Sequence, residues 1–248
     1  MFAEERQRKI VEIIAKNGSV GVEDLAKKLN VSSMTIRRDF TKLQKLNLIE
    51  RTHGGALVKK ERLYEEKKSS QMDEKQRIAA ECAKYIREGD VVFLDAGTTT
   101  YEIAELIKDM ANVIVVTTDL EIAGRLNTGT VEVFVCGGFL QKETGSTLGP
   151  FAESMINDFK FDIGFFGASS IDKNFEVATP TTEKMTLKRL VMRRCDKTIL
   201  AVDSSKFGKR AVIRINDLGD YTKVVTDRKL SSKEEELAGK MHARIITV

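Results

Sequence analysis

Three groups of residues have the types and spacing to do chemistry. The first is the run from Met34 to Lys45. At about 100° per residue, Met34, Arg38, Thr41, Lys42 and Lys45 share one side of a helix, with Thr35 and Arg37 on its flanks. Arginine bonds guanine bidentately, and threonine or methionine touches a thymine methyl. Lys42, Lys45, Arg51 and a Gly54-Gly55 turn suit phosphates, because glycine lets backbone come close. The second group is Asp95-Ala96-Gly97-Thr98-Thr99-Thr100, between an apolar run and a helical segment. A strand, a glycine turn, hydroxyls and a helix N-terminus make an anion site. The third group is a set of polar loops after other apolar runs: Thr117-Thr118-Asp119, Gly137-Gly138, Ser169-Ser170 and Asp203-Ser204-Ser205-Lys206. Taken singly, a threonine run also caps a helix, Gly-Gly also makes a plain turn, and a basic helix face is also just a solvated one. Asp95, Glu183, Asp203 and Lys206 are titratable groups that acid–base chemistry would use if they converged.

Distinct elements must hold these groups. Ile10, Ile13 and Ile14 predict a first helix over Ala3–Lys16, stopped by Asn17-Gly18. Val22–Leu29 reads as a short second helix, broken at Asn30-Val31. Ser32 stands as N-cap of a third helix whose inner face is Ile36, Phe40 and Leu43. Leu48–Arg51 and Ala56–Val58 read as a hairpin. Together these spell a winged helix-turn-helix over residues 1–58. The charged stretch 59–71 reads as a linker. From residue 72 to 248 the grammar changes. A helix over Asp73–Arg87 precedes β-branched runs at Val91–Leu94, Val113–Val116, Val131–Val135, Ile163–Phe166, Ile199–Val202, Lys223–Thr226 and Arg244–Val248. Helical segments alternate with them, near Phe151–Asp158 and Thr182–Arg194 among others. That alternation predicts an α/β domain with a mostly parallel sheet covered on both faces. Ligands in such sheets sit at the carboxyl ends of strands.

Charge divides at the same place. The formal net charge is +4, but residues 1–60 carry 13 Lys+Arg against 7 Asp+Glu, and the rest carry 28 against 30. A small basic head on a near-neutral body suits a nucleic-acid module, or simply a solvated basic surface. No stretch approaches the roughly 18 apolar residues of a membrane span. Met1–Arg8 is charged and lacks the apolar core of a secretory signal. Cys82, Cys136 and Cys195 form no C-x-x-C pair, and with His53 and His242 give no metal spacing, so no cofactor or metal is expected. A reducing, cytoplasmic setting and core roles for the cysteines follow.

VSSMTIRRDFTKLQKLNLIERTHGGA, residues 31–56, resembles the signature of the DeoR family of bacterial transcriptional regulators, close to V-S-x-x-T-I-R-R-D-L-x-x-L-x-x-x-G-x-L-x-R-x-H-G-G-A. Phe40 replaces a usual leucine and Asn47 a usual glycine. DAGTTT, VTTD, CGGFL, GASSI, TPTTE and VDSSKFG are similar to successive blocks of that family's sensor domain, extending the resemblance over about residues 5–227. The resemblance implies that Ser33, Met34, Thr35, Arg37 and Arg38 face DNA and that His53, Gly54 and Gly55 form the wing. It implies a sensor fold similar to sugar-phosphate isomerases and a phosphorylated-sugar effector. Phosphate would sit on Gly97, Thr98, Thr99 and Thr100, with Asp95, Thr118, Gly138, Glu183 and Lys206 on or near the sugar. Thr118 stands where the family often has asparagine, and Ser169-Ser170 where A-N-G is frequent. These substitutions alter the lining.

The expectation is therefore a non-enzymatic regulator, a repressor of a sugar-utilisation operon. It would bind a double-stranded DNA operator as a homo-oligomer, dimer or tetramer, without membrane association. The rival is a sugar-phosphate isomerase-like enzyme whose N-terminal domain serves assembly only. A third reading is a nucleic-acid-binding protein with no effector.

Overall fold

Ile10, Val11 and Ile14 on one helix need partners, and they find them in a small separate core. A computed structural model of the chain describes residues 3–17, 19–45, 49–52, 54–58, 64 and 68–248. The chain divides into two compact units, residues 1–61 with 209–212, and residues 62–208 with 213–248.

In the first unit, α1 (Ala3–Asn17), α2 (Val22–Leu29) and α3 (Ser33–Lys45) pack around Ile10, Ile14, Leu25, Ile36, Phe40 and Leu43. Asn30 closes α2 in the left-handed conformation, φ 51° and ψ 53°, which asparagine tolerates. The expected hairpin is β2 (Ile49–Thr52) paired with β3 (Gly55–Val58). A further strand, β1 (Ser19–Gly21), pairs antiparallel with β3 and completes a three-stranded sheet. Three residues are too few to show a period of two, so this strand was not legible in sequence.

The second unit opens with α4, Met72–Ala83, four residues shorter at its C-terminus than the expected helix to Arg87. A turn through Gly89, φ +89°, then leads into the first strand. Seven parallel strands follow: β4 (Val91–Leu94), β5 (Ile114–Thr117), β6 (Glu132–Val135), β9 (Phe161–Phe166), β12 (Cys195–Ala201), β14 (Lys223–Thr226) and β15 (Ile245–Thr247). Their spatial order is β15-β14-β12-β9-β4-β5-β6, every neighbouring pair parallel. Chain order thus reverses between β4 and β9, the switch point where open α/β sheets place ligands.

Alternation along each strand explains the two cores. Val92, Leu94, Val115, Phe165, Ile199 and Val225 face α4, α5 (Thr98–Ile107) and α6 (Leu120–Leu126). Phe93, Val116, Phe166, Leu200 and Val224 face the opposite way, toward α7 (Pro150–Asn157), α8 (Thr182–Arg194) and α9 (Ser232–Lys240). Burial on both faces is why these strands read as continuous apolar runs. Three elements lay outside the sequence expectation. One is the hairpin β7 (Phe139–Gln141) with β8 (Ser146–Leu148). The second is an antiparallel sheet of β10 (Ser170–Ile171), β11 (Glu176–Thr179) and β13 (Ile213–Asp217). The third is α9 itself, announced only by its Ser231–Glu234 capping box. Among the described residues, no helix is long and apolar enough to cross a membrane.

Candidate functional site

The N-terminal site is built on α3. Ser32 Oγ accepts the Thr35 N–H at 3.2 Å and starts the helix. Ile36 and Phe40 are wholly buried, which turns the exposed Arg37, Arg38, Thr41 and Lys42 to solvent. Met34 is 74% exposed, an apolar contact held away from any core. Ser33 and Thr35 are half-buried, and Ser33 Oγ donates to Glu23 Oε2 at 2.8 Å. Arg51 on β2 donates from Nη1 to Thr41 Oγ1 at 3.2 Å, tying the wing to α3. Behind the exposed face, buried Asp39 accepts Arg6 Nε at 2.6 Å and Gln7 Nε2 at 2.8 Å, fastening α3 to α1.

The two wing glycines have different reasons. Gly54 sits at the open tip with φ +89°. A Cβ on Gly55 would lie 2.5 Å from the Val20 carbonyl oxygen, so Gly55 is there to let β1 approach. His53 and the side chain of Lys45 lie outside the described residues.

The second unit gathers its polar groups at the carboxyl ends of the parallel strands. Asp95 follows β4 at the switch point, where its Oδ2 accepts the Gly167 N–H at 2.9 Å. The same oxygen contacts the Lys188 ammonium, which also donates to the Gly167 carbonyl at 2.9 Å. Gly97 donates its N–H to Asp119 Oδ2 at 3.0 Å. The other Asp119 oxygen caps α6, accepting Glu121 N–H at 2.8 Å and Ile122 N–H at 3.1 Å. Thr100 Oγ1 lies 2.6 Å from the Asp95 carbonyl and 2.8 Å from that of Gly97, so it braces the loop from within. Thr98 and Thr99 are buried, and no side chain caps α5, leaving its N-terminal N–H groups to the loop.

The remaining predicted residues fall in two groups at the same end of the sheet. Gly138, with φ +152°, lies so close to β8 that a Cβ would stand 2.5 Å from the Leu148 carbonyl oxygen. Glu183 is exposed and joins Phe139, Gln141, Leu148 and Gly149 around a cavity of about 290 Å³. Lys206 Nζ lies 3.5 Å from Asp203 Oδ2. Asp203 is fully buried, and its Oδ1 accepts the Ser205 N–H at 3.0 Å. The hydroxyls of Thr118, Ser170 and Thr179 are buried with no hydrogen-bond partner, while the Asp203 Oδ2 is ion-paired with Lys206 but accepts no hydrogen bond among the described residues. Thr118 and Asp203 stand just past the ends of β5 and β12, and Ser170 opens β10 on the stretch that follows β9.

Burial sets the electrostatics. It pushes the Asp119 carboxyl up to about 6, against three backbone N–H groups that favour the charged form. It also lowers the buried Lys75 ammonium, which the Asp203 carboxylate partly restores. Burial raises the Cys136 and Cys195 thiols to about 12 and carries Cys82 higher still, so none is primed as a nucleophile. Among the described residues, no cluster of His, Cys, Asp or Glu is placed to hold a metal.

Sequence reasoning missed Lys188 and Lys75 as members of this site, and named Asp119 only as part of a polar loop. A signal existed for Lys188: Lys184, Leu187, Lys188 and Val191 recur at the spacing of the buried side of α8. Lysine in an apolar stripe asks for a buried partner.

A helix-turn-helix with a wing, joined in one chain to a seven-stranded parallel sheet, defines a DNA-binding protein with a separate α/β domain. Residues 6–62 match the DeoR-like helix-turn-helix domain, and residues 70–228 match the DeoR C-terminal sensor domain. The HTH-type transcriptional regulator GlpR of Haloferax volcanii is 35% identical over 240 residues, spanning 95% of this chain and 94% of that protein. The glycerol-3-phosphate regulon repressor of Escherichia coli is 31% identical, spanning 90% of each. The lactose phosphotransferase system repressor of Streptococcus mutans is 32% identical, spanning 96% of this chain and 97% of that one. The chain belongs to the DeoR family of DNA-binding transcriptional regulators, not to an enzyme family.

Proposed function

We propose that this regulator represses a sugar-utilisation operon, and that a phosphorylated sugar bound at the strand ends of the 72–248 domain changes its hold on the operator. The 1–58 domain reads DNA. Ser33, Met34, Thr35, Arg37 and Arg38 meet base edges, while Lys42, Arg51, His53, Gly54 and Gly55 meet the backbone. Operator reading by repeated half-sites calls for a homo-oligomer. In the sensor domain, Gly97–Thr100 hold the phosphate by their N–H groups and by the Thr98 and Thr99 hydroxyls, with the Thr100 hydroxyl bracing the loop. Asp95, Thr118, Gly138, Glu183 and Lys206 address the sugar. The 59–71 segment joins the two.

One observation carries the ligand reading. Thr118 Oγ1, just past β5, and Ser170 Oγ, on the stretch that follows β9, are buried with no hydrogen-bond partner. Unpaired buried polar atoms are rare, and a bound hydroxylated ligand would satisfy them. The names of the relatives agree with this reading, since one is a glycerol-3-phosphate regulon repressor and another a lactose phosphotransferase system repressor.

The test is operator binding by fluorescence anisotropy with promoter DNA of a sugar operon. Binding is salt-sensitive and is lost in Arg37→Ala/Arg38→Ala. A thermal-shift panel of phosphorylated sugars then finds the effector. No stabilisation by any member would refute the sensor reading.

A further inference from the structure

The 59–71 segment reads as a solvated tether, yet its described residues are fastened to the sensor domain. Tyr64 is buried, and its main-chain N–H donates to the Glu143 carbonyl at 3.1 Å. Its hydroxyl is buried with no hydrogen-bond partner. Lys68 places its ammonium 5.2 Å from the centre of the Tyr101 ring on α5. The Ser70 carbonyl accepts the buried Lys75 ammonium.

From Tyr64 an unbroken run of contacts leads to the anion loop. Glu143 lies in the turn between β7 and β8. That turn rides on the segment 118–120: Leu120 N–H donates to the Gly145 carbonyl at 3.0 Å, and Thr147 N–H donates to the Thr118 carbonyl at 2.7 Å. Asp119 forms an isolated antiparallel bridge with Ser146. Asp119 in turn holds the Gly97 N–H at 3.0 Å. The Tyr64 hydroxyl lies in the field of the same carboxylate: burial first, then Asp119 and Glu121, suppress its ionisation.

We propose that Tyr64 transmits occupancy of the Gly97–Thr100 loop to the segment that carries the DNA-binding domain. This rests on the reading that an anion binds that loop. An anion there competes with the Asp119 carboxylate for the Gly97 N–H and repels it. Asp119 then shifts, and the β7–β8 turn with its grip on Tyr64 shifts with it. Tyr64 is a positioning residue: it touches neither DNA nor ligand.

The test uses the full chain, operator DNA, and glycerol 3-phosphate, fructose 1-phosphate and glucose 6-phosphate, with inorganic phosphate alongside. In the parent protein, a compound that raises the melting temperature changes operator affinity at least about fivefold. In Tyr64→Ala it stabilises as before, but the affinity change shrinks to less than about twofold. Tyr64→Phe keeps the ring and restores the response. A Tyr64→Ala protein that responds like the parent would overturn the proposal. A second arm needs no ligand and does not depend on Tyr64→Ala folding. The chain has no tryptophan, so Tyr64→Trp installs a single tryptophan that can be excited apart from the remaining tyrosines. Adding Asp119→Asn shifts its emission and speeds tryptic cleavage at Lys59–Lys68; unchanged emission and cleavage sink the coupling. If no compound affects the parent protein, the effector reading fails, while this arm still decides whether Asp119 and Tyr64 are coupled.

Discussion

Lys188 and Asp95 are 93 residues apart in sequence and meet at the point where the strand order reverses. Their side chains are only 8% and 4% exposed, and both also bond Gly167. The pair pins α8 to the ends of β4 and β9. Removing one partner strands a buried charge. Lys188→Met is expected to cost about 3–5 kcal/mol in urea unfolding. Lys188→Met/Asp95→Asn recovers a large part of that loss. A double variant no more stable than Lys188→Met would show that the cost is packing, not the stranded carboxylate.

Asp119 gives the sensor domain a pH signature. Its carboxyl is held at about 6, against an ordinary value of 3.8, chiefly by burial. Near pH 5 the folded protein keeps a proton that the unfolded chain has released. Stability from this group is therefore present below pH 4 and lost as pH rises to about 6. Asp119→Asn should flatten that slope in melting curves taken between pH 4 and 7. The asparagine oxygen still caps α6, so the helix survives. Identical pH slopes in the two proteins would refute the assignment.

In the DNA-binding domain the wing carries a glycine that cannot be spared. Gly55→Ala puts a methyl 2.5 Å from the Val20 carbonyl oxygen, and the obstacle is backbone. The strand β1 must move away, at about 1–3 kcal/mol. Gly54→Ala has open space and meets only its positive φ, a strain of about 1–2 kcal/mol. Circular-dichroism melts should rank Gly55→Ala as the more destabilising, because it displaces the whole sheet edge rather than one tip residue; anisotropy titrations run alongside should give the same order in operator affinity.

Asp39 separates stability from recognition on one helix. It faces inward, holding Arg6 and Gln7, while Arg37 and Arg38 face outward. Asp39→Ala should lower the melting temperature by unpairing Arg6, at about 1–3 kcal/mol. Met34→Ala should leave the melt within about 0.5 kcal/mol, because Met34 has no core contacts to lose. Operator titrations would show the reverse order, with Met34→Ala weakening sequence-specific binding once folding is complete.

Much of this protein is local, and local features are written in sequence. Ile36, Phe40 and Leu43 at helical spacing make α3 amphipathic before anything packs on it, so its exposed face was readable directly. The parallel strands declared themselves as apolar runs because both their faces are buried. The loop 95–100 was legible because glycine, threonine and the start of a helix are neighbours in the chain. Partners brought from far away left no such trace. Strand β1 is three residues long and exists only because β3 passes beside it. Lys188 stands in the apolar stripe of α8, but only the fold sets Asp95 against it. Tyr64, in a stretch of charged residues, is buried in the fold, with its main-chain N–H on the Glu143 carbonyl of the β7–β8 turn. Sequence by itself determined the change from helical head to α/β body, the basic outer face of α3 and the glycine–threonine turn at 95–100, since each depends on short-range periodicity and composition. The tertiary structure alone decided which buried charges pair and which linker residue is held. Those depend on desolvation and distance between elements, which no spacing along the chain encodes.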